Sequence, residues 1–261
     1  MITPSLDLFA IFIFIAVFQS LVLSAYFFFK KDENHISSVT LAAILFCFAL
    51  ILFDIASGYT GYIVNYIYLN NFSDPFVFFL GPLCYLYTKS TAQNTKKINH
   101  SQYLHFIIPV LMLLYYVLYF VQPDGLKYND FLSSFHPETK TNYVEPLFEP
   151  DPLGFLKNIV LLMVTHLSIY IIMSIRIINR ILKPQGSNFF SFTNSTLAPL
   201  RVLLSGFVLA LIVFSFIKLF FYNDLGDHII AMYTSLIVYS ITIYLFSKKY
   251  FSEEEDEDEK S

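Results

Sequence analysis

Apolar residues in this chain come in blocks rather than in alternation, and the blocks are about as long as a bilayer is thick. Runs of Phe, Ile, Leu, Val and Ala are separated by shorter polar stretches. A helix needs roughly 20 mostly apolar residues to cross a hydrocarbon core about 30 Å thick. Seven segments meet that length: residues 6–29, 37–56, 73–90, 102–121, 153–178, 199–222 and 228–247. Unbroken apolar blocks of this length predict spanning helices, not amphipathic ones. The fold class expected is all-α, a polytopic membrane bundle of seven helices over residues 1–247.

The connections carry the second layer of information. Lysine and arginine concentrate on the cytoplasmic side of a membrane protein. The connections after the first, third and fifth segments, together with the C-terminal tail, hold twelve of the sixteen Lys and Arg. The opposite set holds only Lys127, Lys140 and Lys157, and Lys218 lies within a span. The bias places the N-terminus outside and the C-terminus in the cytoplasm. Most connections are short, which predicts antiparallel neighbours. The exception is residues 122–152, a long, proline-rich and acidic outer loop, expected to form either a partly ordered lid or an irregular solvated loop. Before the sixth segment, residues 194–196 offer a helix cap ahead of Pro199.

Composition agrees with this picture. The chain is 56% hydrophobic and 14% charged, whereas soluble domains are about 25% charged. Net charge is −4, but "EEEDEDE" at 253–259 holds seven of the twenty acids. The rest is mildly basic and shows no basic face suited to nucleic acid, so direct DNA or RNA binding is not expected. Residues 248–261 read as a disordered acidic cytoplasmic tail. Cys47 and Cys84 fall within spans and read as small buried hydrophobes. The N-terminus has no basic start ahead of its apolar run, so it reads as a retained first span.

A few polar residues interrupt the apolar blocks. Lys218, in "FSFIKLFFYN", sits about one turn (~6 Å) below the outer end of the sixth span. Asp54 sits at nearly the same depth in the second. A lone intramembrane carboxylate is costly and takes a partner, a proton or a water-filled cavity. An Asp54–Lys218 pair is expected, either as glue or as part of an outward pocket that His228 and Asp74 join. Snorkelling is the simpler alternative for Lys218. Gln19 and His166 lie mid-span and are expected to make interhelical polar contacts. Pro82 and Pro109 are expected to kink their helices. No HExxH, G-x-S-x-G, metal-spaced cysteine pair or phosphate-binding glycine loop is present. Neither an enzyme nor a cofactor is expected.

"DPFVFFLGPLCYLYTKST" and "YLHFIIPVLMLLYYVLYF" resemble the seven-helix membrane sensor region of bacterial regulators that carry a cytoplasmic AraC-type helix-turn-helix domain. The matching positions are Gly81, Pro82, Leu83, Tyr85, Leu86 and Tyr87, then Leu104, His105, Phe106 and Pro109. "LILFDIASGYTGYI" and "NSTLAPLRVLLSGF" are similar more loosely and bring in Asp54 and Arg201. The DNA-binding domain is not found after residue 247, and the family's Trp before Leu-Arg is replaced by Pro199. The resemblance implies a sensory module in a bacterial inner membrane. Its output would pass to a cytoplasmic or membrane regulator, in a homodimer or a mixed dimer. A small transporter and a structural or assembly protein are the alternative expectations.

Overall fold

The computed structural model describes residues 3–30, 34–95, 97, 99–190, 197–221 and 224–258, with side chains as far as Leu245 except at 198 and 199. Among the described residues all regular structure is helical. The helices are α1 (Leu8–Phe29), α2 (His35–Tyr59), α3 (Asp74–Gln93), α4 (His100–Tyr103), α5 (Ile107–Phe120), α6 (Asp124–Phe135), α7 (Ile159–Leu182), α8 (Ala198–Phe220) and α9 (Asp227–Asp258). Single-turn 3₁₀ segments link some of them, and a longer one, Tyr62–Leu69, lies between α2 and α3.

Local signals set the ends. Asp7 caps α1 by accepting the Ala10 N–H at 2.8 Å, and Asn34 caps α2 by accepting that of Ser37. Asn94, at φ 48°, closes α3 in the left-handed region that asparagine tolerates better than most residues. Gly61, at φ 74°, turns the chain out of α2 into the 3₁₀ segment.

Six helical segments are long and apolar enough to cross a membrane. Their outward faces expose large apolar side chains, among them Phe18, Leu114, Val202, Ile212 and Ile243. Patches of this extent are stable only against lipid or another protein. The remaining long helix, α3, falls outside that set. It packs against both α2 and α7, and its Thr88 and Ser90 are buried in protein. A helix lined by neighbours does not need an apolar surface all round, and so its hydropathy is lower.

One main core holds the bundle. Ile13 of α1, Ile44 and Leu52 of α2, Ile178 of α7, Leu204 of α8 and Val238 of α9 are all essentially inaccessible. α3 and α7 approach closely at Gly81, where a Cβ would lie 2.8 Å from the Tyr170 ring. Only glycine admits that ring without a shift.

The two prolines act differently from each other. α3 continues as helix through Pro82. The segment expected to be one helix over 102–121 is broken into α4, a 3₁₀ turn at Leu104–Phe106 and α5. Pro109, in the first turn of α5, offers no N–H to the His105 carbonyl four residues back, and that carbonyl accepts the Tyr170 hydroxyl at 3.3 Å. The acidic tail also departs from expectation: α9 continues as helix to Asp258. The cap expected at 194–196 lies outside the described residues.

The long connection is ordered. Its helix α6 lies on the Tyr62–Leu69 segment, burying Phe131 and Leu132 against Ile63. Phe135 of α6 rests where a side chain on Gly58 would be, 2.7 Å from a Cβ built there. Beyond α6, Gln122 is bonded to both Leu147 and Phe148, and Asp151 accepts the Tyr115 hydroxyl at 2.6 Å. We refer to the end of the bundle that α6 covers as the mouth, and to the end where α2 and α8 begin as the tail end.

Candidate functional site

A cavity of about 710 Å³ opens beneath α6. Five long helices supply most of its walls, with α5 and α6 adding to them near the mouth. The deepest residues are Phe48 on α2, Leu80 on α3, Leu167 on α7, Phe207 on α8 and Ile237 on α9. Phe48 and Phe207 stack with centroids 5.7 Å apart. Toward the tail, the next core positions, Leu45, Cys84, Ile171 and Leu204, are buried and close-packed. The cavity is therefore a dead end that reaches roughly the middle of the bundle.

Its upper wall is charged. Lys218, near the mouth end of α8, places Nζ 2.8 Å from Asp224 and 2.8 Å from Asp227. Those acids lie six and nine residues further on, in the connection to α9 and at its first residue. Lys218 is largely buried, with side-chain exposure of 11%. The expected Asp54–Lys218 pair is corrected here. Asp54 and Lys218 line the same cavity, but the lysine is held by its sequence neighbours. The tight α8–α9 turn lets Asp224 and Asp227 fold back to the ammonium, while Asp54 arrives on a separate helix. Asp54 instead accepts the backbone N–H of Ser73 at 3.0 Å. That bond ties the mouth end of α2 to the start of α3.

Asp74 also lines the cavity and accepts the Tyr116 hydroxyl of α5 at 2.8 Å. Asp130, from α6, is the carboxylate the lid contributes. Its Oδ2 accepts from Asn71 at 2.8 Å, from the Tyr119 hydroxyl at 2.8 Å and from Asn70 at 3.3 Å. Burial raises the Asp130 pKa above the ordinary carboxylate range, and the repulsion of Asp224 adds to it, although the Tyr119 and Asn71 donors work the other way. Asp151 also loses solvent, but bonds from Tyr115 and from the Lys157 and Leu156 N–H groups win and lower its pKa.

The other residues singled out from sequence lie elsewhere. His228 is at the mouth but outside the cavity lining. It stacks on Tyr59, with centroids 4.8 Å apart, and the Tyr59 hydroxyl donates to Asp7. Gln19 donates to the Thr242 hydroxyl, joining α1 to α9 as an interhelical contact. His166 is buried between the rings of Phe78 and Tyr170. Neither of its ring nitrogens has a hydrogen-bond partner. It meets its neighbours as an aromatic disc and not through a polar bond. Cys47 and Cys84 are free and buried.

Three acids of the site were missed from sequence. Asp224 and Asp227 carried a readable signal, because a lysine at a helix end followed within ten residues by two acids in a tight turn has its partners at hand. Asp130 carried none, since only docking of α6 brings it over the bundle. Among the described residues, no three His, Cys, Asp or Glu side chains are placed to hold a metal ion.

Six long apolar helices with lipid-suited outer faces mark this chain as a multi-pass helical membrane protein. Compared with known proteins, it matches no protein-family model, no curated protein and no solved structure.

Proposed function

We propose that this protein is a membrane sensory module that binds a small ligand in the cavity under α6. In this reading α3 crosses together with the six apolar segments. The mouth faces outward, the C-terminus lies in the cytoplasm, and the setting is a bacterial inner membrane. The excess of Lys and Arg on the connections at the tail end supports that orientation. The reading also agrees with the resemblance to regulator sensor regions. A regulator partner would receive the signal from the cytoplasmic helix ends.

The observation that carries the proposal is the shape of the cavity. A volume of about 710 Å³ falls within the range of small-molecule sites. Its lining runs down to the stacked Phe48 and Phe207, with buried core beyond them. A pocket lidded at one end and packed at the other suits capture and reporting better than passage. Ligand contacts that span α2, α7, α8 and α9 would bias their relative positions, which is the differential interaction a population shift requires.

A labelling experiment tests this. Val164, on the α7 wall, is replaced by cysteine, and a membrane-impermeant maleimide is added from outside the cell. Cys47 and Cys84 are buried and leave a low background. Labelling from outside, together with reporter fusions placing the two termini on opposite faces, is the expected result. Termini on one face, or labelling only from the cytoplasm, would sink the orientation and the receptor reading with it. Solute uptake into vesicles that requires Asp54 would make the protein a transporter instead.

A further inference from the structure

The cavity has two chemically distinct ends, and together they specify a class of ligand. The mouth half is lined by Asp54, Asp74, Asp130, Asp151, Asp224 and Asp227, against the buried Lys218 and the exposed Lys157. Lys218 is bracketed by Asp224 and Asp227, so that trio carries a net negative charge and presents no spare cation to an anionic guest. Asp130 is held by three neutral donors. Asp54 and Asp74 differ from these. The donors to Asp54 come from Ser73, through its backbone N–H at 3.0 Å and its side chain, and the donor to Asp74 is the Tyr116 hydroxyl. Both carboxylates line the cavity, and among the described residues no cation lies within ion-pair distance of either.

The deep half is apolar. Below Asp54 the walls are Phe48 and Ile51 of α2, Leu80 of α3, Phe207 and Ala210 of α8, and Ile237 of α9. Asp54 stands six residues above Phe48 on α2, a drop of about 9 Å along the helix.

We propose that the cavity binds an amphiphilic organic cation, an alkyl- or arylalkylammonium. Its charged head lies at Asp54 and Asp74, and its apolar body runs down to the Phe48–Phe207 floor. This rests on the receptor reading and sharpens it. An ammonium supplies both donors and charge to these two carboxylates, which are costly to leave without a counter-charge at this depth. A carboxylate or phosphate guest would meet the acids head on. A bare metal ion lacks a converging set of ligands here. A dication with charges at both ends would bury one of them among the apolar walls. The apolar body replaces whatever water fills the deep half, and that exchange is favourable in proportion to the area covered.

The test uses the whole chain in nanodiscs of zwitterionic lipid, with radiolabelled n-octylammonium as the probe and empty nanodiscs to subtract partitioning. Saturable binding above the empty discs is expected, competed by butyl- to decylammonium with an optimum in length. Octanoate, octanol and 1,8-diaminooctane should compete poorly. Asp54→Asn should weaken binding by about tenfold or more, because it leaves the ammonium without its charged partner. Ala210→Phe fills the deep half while keeping every charge, and should abolish binding even if the Asp54 variant does not fold. Equal competition by octanol or octanoate, or binding indifferent to both variants, overturns the proposal. Outward labelling of the Val164→Cys variant without ammonium binding overturns the cation class and leaves the receptor reading standing. Absence of labelling removes both.

Discussion

The two halves of the bundle are built on opposite principles. At the mouth, six acids and two lysines surround an open volume, and a helix from a long connection lies across it. At the tail end the same helices meet in close apolar packing, sealed by short-range polar bonds. Ser37 bonds Thr91 at 2.6 Å, Asn34 donates to the Ser90 carbonyl at 2.8 Å, and Asn179 accepts the Phe189 N–H at 2.7 Å. Neutral contacts and packing hold helices together in a membrane. Arg201, near the start of α8, is buried at this end as well and donates to the Asn188 carbonyl at 3.4 Å. It is acids inside the bundle, not charge in general, that gather at the mouth. The contrast explains why the lysine is paired locally. An ammonium clamped by its own turn leaves the carboxylates on α2 and α3 open to a guest.

The strongest way to break this contrast is Lys218→Met. It strips two partly buried carboxylates of their counter-ion, and removing one member of a buried pair costs about 3–5 kcal/mol. Thermal unfolding in detergent should show the loss. Adding Asp227→Asn should recover part of it, whereas adding Asp54→Asn should recover none. Recovery by the Asp54 change would restore the pairing that sequence suggested.

A packing change should have a smaller effect, away from the charges. Gly81→Ala drives a methyl group against Tyr170 between α3 and α7, at an overpacking cost of about 1–3 kcal/mol. Unfolding should occur at lower temperature with unchanged pH dependence. Next in size is the α1 cap. Asp7→Ala removes the acceptor for Ala10, worth about 1 kcal/mol, and it also frees the Tyr59 hydroxyl. The Tyr59 bond, followed by the Ala10 N–H, holds the Asp7 pKa below its ordinary value. Its contribution is therefore present above the ordinary carboxylate range and fades as pH falls through the lowered value.

The smallest effect expected is also the most specific to the lid. Asp130 has its pKa raised, first by burial. A docked lid therefore binds that proton more tightly than an open one. Docking is strongest below the ordinary carboxylate value and weakens as pH climbs from there through the raised value. Amide exchange in α6 should quicken over that window, and Asp130→Asn should flatten the dependence. A pH-independent α6 in the wild-type protein would mean that the Asp130 contacts do not govern the lid.

Much of this architecture was legible in the chain. Blocks of twenty apolar residues leave a helix across lipid as the economical structure, because backbone groups there must be satisfied within the segment. Asp54, Asp74 and Lys218 were identifiable because each interrupts or borders such a block. α3 was legible by length although its hydropathy is low. The proline readings fared differently. α3 continues as helix through Pro82, while the break at 104–106 lies one turn before Pro109, where a proline removes the bond to the carbonyl four residues back, and the His105 carbonyl accepts the Tyr170 hydroxyl at 3.3 Å instead.

What the sequence determined by itself was helix, solvent and approximate depth, since these depend on runs of residue type and on connection charge. The tertiary structure alone decided which carboxylates meet Lys218, that α6 brings Asp130 over the mouth, and that Phe48 and Phe207 stack at the inner end of the cavity. Those outcomes depend on the rotation of each helix about its own axis and on contacts between segments far apart in the chain. A periodic apolar block does not encode rotation when lipid and protein accept the same side chains.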